Sequence, residues 1–351
     1  MSNTVNWKDL VLPHILNLQA YSSARDEFSG DAKVFLDANE NPFDEEQQNW
    51  NRYPDPLQMG IKQQLSKIKG IASENIFLGN GSDEAIDLLF RIFCKGGDSN
   101  VITCPPTYGM YKVSSSIHNV ANIEVPLTKD FQLDVAAILK ATNEKSKMLF
   151  ICSPNNPTGN SLRKDDIETL LENFRGIVII DEAYIDFSAQ ESFIHKLKSY
   201  PNLVVLQTLS KAWGMASARL GMAFANPELI NILNKVKPPY NISGPSQKLV
   251  EKSLRQSDVF LRQIKGILAE RDSLNQQLQD IPGVKKVFDT DANFILVKID
   301  EAKTIYKKLI NKGIVVRDRS NVKLCYDCLR ITVGTSTENK TLISALRDIS
   351  I

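Results

Sequence analysis

Lys211 and Arg219 stand in "TLSKAWGMASARLG" (208–221), a stretch otherwise made of hydroxyl-bearing, small and apolar side chains. A lysine among such neighbours is partly desolvated, which lowers its pKa and frees its lone pair to form a Schiff base with a carbonyl. Arg219 and the hydroxyls of Thr208 and Ser210 offer donors for a phosphate in the same neighbourhood. Asp181 ends the apolar run of "GIVIIDEAYIDF", with Tyr184 shortly after it. A carboxylate at the end of a central strand is costly unless a cation or hydrogen bonds meet it, so Asp181 calls for a positive partner.

Two loops extend this set. "FLGNGSDEAIDLLF" runs from a strand through Gly79, Asn80, Gly81 and Ser82 into an amphipathic helix. Glycines there let the backbone approach a ligand, and the free N–H groups of the helix start favour a phosphate. "CSPNNPTG" (152–159) follows a buried-looking strand, and its prolines stop the strand so that Asn155 and Asn156 sit at the carboxyl edge of a sheet, where ligands bind in open α/β folds. Each stretch also has a plainer account. Ser82 can be a helix N-cap, the asparagines can bond their own backbone, Asp181 can cap a turn in water, and either cation can lie on a helix with its head in solvent. Their joint occurrence favours the chemical reading: a Schiff-base lysine, a carboxylate for a pyridinium nitrogen and a phosphate cradle are together what pyridoxal phosphate requires.

The elements that must position these groups alternate. "NIFLG", "NVITC", "ANIEVPL", "KMLFICSP", "IVIIDEAY", "NLVVLQT" and "RLGMAFAN" read as strands with little polar alternation, separated by helical stretches such as "SDEAIDLLFRIFCKGG" and "RKDDIETLLENFRG". That pattern predicts an α/β core with a mainly parallel central sheet covered by helices on both faces, every site loop following a parallel-type strand. "KPPYNISGPSQ" (237–247) reads as a hinge, followed by one long amphipathic helix from about Ser246 to Leu278 and a smaller α+β group. The expected division is 1–45 as an N-terminal segment packing with the small domain, 46–245 as the large cofactor-binding domain and 246–351 as the small C-terminal domain.

Bulk properties exclude other classes. The 351 residues carry 42 Lys plus Arg against 41 Asp plus Glu, so no summed field draws the chain to nucleic acid or to an anionic membrane. A non-catalytic regulator would need a basic nucleic-acid-binding module, for which this near-neutral chain has no spare domain. The N-terminal stretch lacks the continuous apolar core of a signal peptide and nothing later approaches a membrane span, which predicts a cytoplasmic protein whose partners are small molecules or itself. Five cysteines occur; Cys325 and Cys328 form an isolated C-x-x-C without the further ligands a zinc site needs, so reduced structural thiols are expected and no metal.

The ordered set "SPNNPTG", "DEAY", "SKAWGMASAR" and "LRITVGT" resembles the fold-type-I pyridoxal-phosphate enzymes of the class-II aminotransferases over essentially the whole chain. The resemblance implies that Lys211 binds the cofactor covalently, that Asp181 pairs with the pyridine nitrogen, and that Asn156 and Tyr184 bond the phenolic oxygen. It places Gly81, Ser82, Asp83, Thr208, Ser210 and Arg219 around the phosphate and Tyr108, of "PPTYGMY", stacked on the ring. Tyr53, in "RYPDP", falls where a tyrosine reaches the phosphate of the partner subunit, which implies a homodimer with shared sites. "AYSSAR" (20–25), "FLDANENPF" (35–43) and "NRYPDP" (51–56) resemble the histidinol-phosphate aminotransferases most closely. Those enzymes transfer an amino group from L-histidinol phosphate to 2-oxoglutarate in histidine biosynthesis. By that resemblance Arg330 clamps the substrate anion, with Tyr21, Asn39 and Arg317 near the substrate. Aromatic amino-acid aminotransferases and threonine-phosphate decarboxylases share the cofactor motifs and are the competing readings.

Overall fold

The computed structural model describes residues 6–22, 33–45 and 49–349. Among these residues, eleven strands form two sheets: β1 Ile76–Asn80, β2 Asn100–Thr103, β3 Ala121–Glu124, β4 Ser146–Cys152, β5 Ile177–Asp181, β6 Leu203–Thr208 and β7 Leu220–Phe224 in the first, β8 Val284–Val287, β9 Phe294–Ile299, β10 Arg317–Asp318 and β11 Cys328–Thr332 in the second. The large sheet has the order β1-β7-β6-β5-β4-β2-β3, and the run from β6 to β3 is parallel throughout.

Strands of this sheet read as continuous apolar runs because both faces are covered. Leu149 and Ile151 of β4, Val178 and Ile180 of β5 and Val205 of β6 enter one core cluster, while Met148 and Phe150, Ile177 and Ile179, and Val204 and Leu206 enter the other. Asp181 continues the second series, so it is carried to the strand end on the face that holds Phe150 and Cys152, and it lies in register with Cys152.

Two expectations need correction. β7 runs antiparallel to both β6 and β1, so the site residues do not all follow parallel strands: Arg219 immediately precedes β7. Reversal of β7 brings its amino end to the edge where β4, β5 and β6 have their carboxyl ends, which is why Arg219 still reaches that edge. The long helix is two helices, Gly244–Leu254 and Ser257–Gln279, with Gln256 between them at φ −111°, ψ 35°. The break lets Val250 and Leu254 pack on the large core and re-aims the chain so that Phe260 meets Trp213, before Leu274 and Leu278 enter the core of the small sheet.

The small sheet is antiparallel, ordered β10-β11-β9-β8. Register pairs Arg317 of β10 with Arg330 of β11, placing two guanidiniums side by side on neighbouring strands. Among the described residues no helix is long and apolar enough to cross a membrane.

Candidate active site

A cavity of about 600 Å³ opens at the carboxyl edge of the large sheet and is closed on one side by the small sheet. Its lining includes Gly81, Ser82 and Asp83 after β1, and Tyr108 from the loop after β2. Asn156 follows β4, Asp181 and Tyr184 come from the end of β5, and Thr208, Ser210, Lys211 and Arg219 come from the β6–β7 connection. Arg317 and Arg330 enter from the small sheet. Tyr53, Asn39 and Tyr21 stand elsewhere. Tyr53 stacks on Tyr240 with centroids 4.4 Å apart and shares a second surface hollow with Asn39, and Tyr21 is exposed. Residues 23–25 of "AYSSAR" lie outside the described residues.

One end of the cavity is a donor-rich cup. The helix Ser82–Phe93 begins with Gly81, not Ser82, as its N-cap; at φ 75° glycine is the residue that adopts this turn without strain, and Ser82 is left to face the cavity. A Cβ on Gly81 would lie 2.7 Å from the Arg219 guanidinium, and one on Gly221 would lie 2.1 Å from the Ser82 backbone nitrogen. Both glycines therefore let the guanidinium, the helix start and β7 crowd around one point. Gly81 N donates to Arg219 O at 2.7 Å, and Thr208 Oγ1 lies 3.0 Å from Ser210 Oγ, so the hydroxyls, the guanidinium and the N–H groups of the helix start share one small region suited to a phosphate.

Asp181 lies at the other end, 3% exposed. Its Oδ2 accepts from the Tyr111 hydroxyl at 2.7 Å and its Oδ1 from Ala183 N at 3.1 Å. Among the described residues it has no ion-pair partner within bonding distance, and burial pushes its carboxyl up to about 6 against the pull of those two donors. The same burial acts on Lys211 in the opposite sense: desolvation, then repulsion by Arg330, lowers its ammonium pKa, with Asp181 opposing. Its Nζ lies 5.7 Å from the centroid of the Tyr184 ring. A buried carboxylate awaiting a cation and a lysine biased toward the free amine are the two groups that a protonated pyridine ring with an aldehyde demands.

Asn156 links the two sheets. Its Nδ2 donates to the Tyr184 hydroxyl at 3.3 Å, while its Oδ1 accepts from Arg330 Nη1. Arg330 Nε is buried with no hydrogen-bond partner among the described residues, and burial, then repulsion by Arg319 and Arg317, lowers its pKa. Asn155, by contrast, is spent on structure, donating to Pro106 O and Thr158 Oγ1.

Sequence reasoning missed three lining or supporting groups. Tyr111 follows Tyr108 at one helical turn in "PPTYGMY" and is fully buried beneath it. Arg319 lies two residues beyond Arg317, the strand period that returns a side chain to the same face, and it too lines the cavity. Cys152, in register with Asp181, completes the floor. Cys325 and Cys328 are buried behind the arginines, burial pushing their thiols up to about 12 and about 11.

Comparison with known proteins places the chain in a family. The family described as aminotransferase class I and II matches residues 13–346. Histidinol-phosphate aminotransferase of Parabacteroides distasonis is 52% identical over 98% of this chain and 99% of its own, and that of Christiangramia forsetii is 51% identical over 98% of each. The structure of histidinol-phosphate aminotransferase from Sinorhizobium meliloti in complex with pyridoxal-5'-phosphate superposes with a TM-score of 0.80 over 87% of this chain and 84% of that one, at 22% identity. The cavity with its buried carboxylate, lysine and arginines thus sits in a chain that belongs to the class I and II aminotransferase family, on the branch of the histidinol-phosphate aminotransferases.

Proposed function

We propose that the chain uses pyridoxal phosphate to transfer the amino group of L-histidinol phosphate to 2-oxoglutarate, yielding imidazole acetol phosphate and L-glutamate in histidine biosynthesis. The observation that carries this reading is Asp181, a buried carboxylate facing the cavity of Lys211 with two neutral donors and no bonded cation among the described residues. The donor set fits the cofactor: Lys211 for covalent attachment, Asp181 for the ring nitrogen, Asn156 and Tyr184 for the phenolic oxygen. Tyr108 would cover the ring, and Gly81, Ser82, Asp83, Thr208, Ser210 and Arg219 would hold the phosphate. When bound, the cofactor supplies an electron-withdrawing ring that stabilises negative charge on the carbon bearing the amino group.

The protein's own part is proton transfer and anion recognition. Lys211 Nζ, its ammonium pKa lowered by its desolvated site, removes the α-proton of the substrate and holds it for return. Asp181 stays ionised and keeps its partner nitrogen protonated. Tyr184 and Asn156 would hold the ring's phenolic oxygen. Arg330 and Arg317, each presenting a planar fork, receive a phosphate from one substrate and a carboxylate from the other, which suits a site that must hold both kinds of anion.

The working form is a cytoplasmic homodimer in which the partner subunit's Tyr53 completes the phosphate cup. Exposed Trp50 and Tyr53 in the second hollow, with Leu36 and Phe43 exposed nearby in the sequence, support a self-association face. Sedimentation equilibrium should return twice the chain mass. A coupled assay with L-histidinol phosphate and 2-oxoglutarate tests the activity: turnover well above that with phenylalanine or tyrosine is expected. Preference for the aromatic amino acids, or carbon dioxide release from threonine phosphate, would overturn the substrate assignment.

A further inference from the structure

Tyr111 is the largest fully buried side chain beside the cavity, and its hydroxyl does not face the open cavity directly. It belongs to the helix Met110–Ile117, its ring stacks on Phe150 with centroids 4.7 Å apart, and the Tyr108 ring meets it edge-on at 5.5 Å. This packing leaves the hydroxyl one position, 2.7 Å from Asp181 Oδ2. A phenol packed this deeply needs a partner, and a leucine or phenylalanine would fill the space without that requirement. The hydrogen bond to Asp181 is therefore what tyrosine supplies at this position and those side chains would not.

We propose that Tyr111 is a positioning residue that holds Asp181 ionised and oriented toward the cofactor's ring nitrogen, without itself touching cofactor or substrate. The proposal rests on the reading that Asp181 serves pyridoxal phosphate. Oδ1 is oriented by Ala183 N and Oδ2 by Tyr111, so the carboxylate plane is fixed from both sides while further lone pairs stay open to the cavity. Other groups facing Asp181 act against each other. Lys211 favours its charge; Asp83 opposes it; Cys152, Tyr108 and Tyr184 are neutral, their ionisation suppressed in part by Asp181 itself. Removing the phenol leaves Ala183 N as the one direct donor among the described residues, against full desolvation.

The test is titration of the cofactor-stripped full-length chain with pyridoxal phosphate between about pH 5.5 and 8.5, followed by absorbance, for wild type, Tyr111→Phe, Asp181→Asn and the double variant. Titration of the cofactor itself is common to all and cancels in the comparison. Tyr111→Phe is expected to bind about tenfold more weakly near neutrality, with its acid-side loss of affinity moved up by about one pH unit. The double variant should bind no more weakly than Asp181→Asn, because the phenol acts through the carboxylate. Phe150→Leu, which loosens the ring but keeps the hydroxyl, should lower thermal stability and leave the acid limb in place. An unmoved limb in Tyr111→Phe, a double variant whose loss equals the product of the single losses, or an equal shift in Phe150→Leu would overturn the proposal. Wild type failing to bind, or Asp181→Asn binding as tightly as wild type, would instead remove the underlying reading and the proposal with it.

Discussion

Arg330 Nη1 donates to Asn156 Oδ1, joining residues 174 positions apart and tying β11 of the small sheet to the loop after β4 of the large one. The same guanidinium lies over the Phe294 ring with 5.2 Å to its centroid, so its plane is fixed and its buried Nε is left for a ligand. An arginine in this position lines the cavity where the two sheets meet and, in the proposed function, grips the substrate anion.

Arg330→Lys should therefore separate charge from geometry. A single ammonium cannot keep the Asn156 bond and grip an anion with two parallel donors. We expect kcat/KM to fall roughly hundredfold with either amino donor, with little change in thermal stability. Steady-state kinetics with histidinol phosphate and with glutamate would check this, and unchanged kcat/KM for both would show that the clamp lies elsewhere.

Lys211→Ala removes the one amine that the cavity lining presents from the β6–β7 connection. Borohydride treatment after incubation with pyridoxal phosphate should fix a pyridoxyl group on wild type and none on the variant, read by mass spectrometry of the peptide containing position 211. Transamination should fall by at least about a thousandfold, as loss of both nucleophile and proton carrier implies.

Gly221→Ala tests the crowding behind the phosphate cup. The added Cβ would lie 2.1 Å from Ser82 N and 2.3 Å from the Gly81 carbonyl carbon, both backbone atoms that move only with the loop. Overpacking of this kind costs about 1–3 kcal/mol. Denaturant midpoints should drop accordingly, and affinity for pyridoxal phosphate should fall more than in a variant of equal instability placed in the small sheet.

Glu182→Gln addresses pH dependence. Glu182 is buried, accepts from Ser192 Oγ, Phe193 N and Gln207 Nε2, and is pushed by burial from 4.5 up to about 7. Because its folded-state pKa exceeds its unfolded value, the folded chain holds the extra proton, and stability falls as pH rises from about 4.5 to about 7 and is level above. The full span amounts to roughly 3 kcal/mol. Glutamine should remove that slope in urea midpoints measured across the window, leaving the part due to Asp181, whose raised pKa of about 6 acts in the same direction.

What the sequence determined by itself was the chemistry carried by short segments. A carboxylate ending an apolar strand, a lysine among small residues, and a glycine turn opening an amphipathic helix each state a local energetic demand that a ligand would meet, and such demands are visible within a dozen residues. The alternation of strands and helices likewise revealed the α/β class, since burial on both faces of a sheet leaves its mark on composition. Tertiary structure decided which groups meet. That β7 runs antiparallel, and so delivers Arg219 to the common edge, depends on pairing with β1 and β6. The Tyr111–Asp181 and Arg330–Asn156 bonds, the pairing of Arg317 with Arg330, and the helix break at Gln256 all rest on contacts between segments far apart in the chain. No local pattern encodes those contacts, because a hydrogen bond of a few ångströms is fixed by sheet order and packing rather than by the identity of its neighbours along the chain.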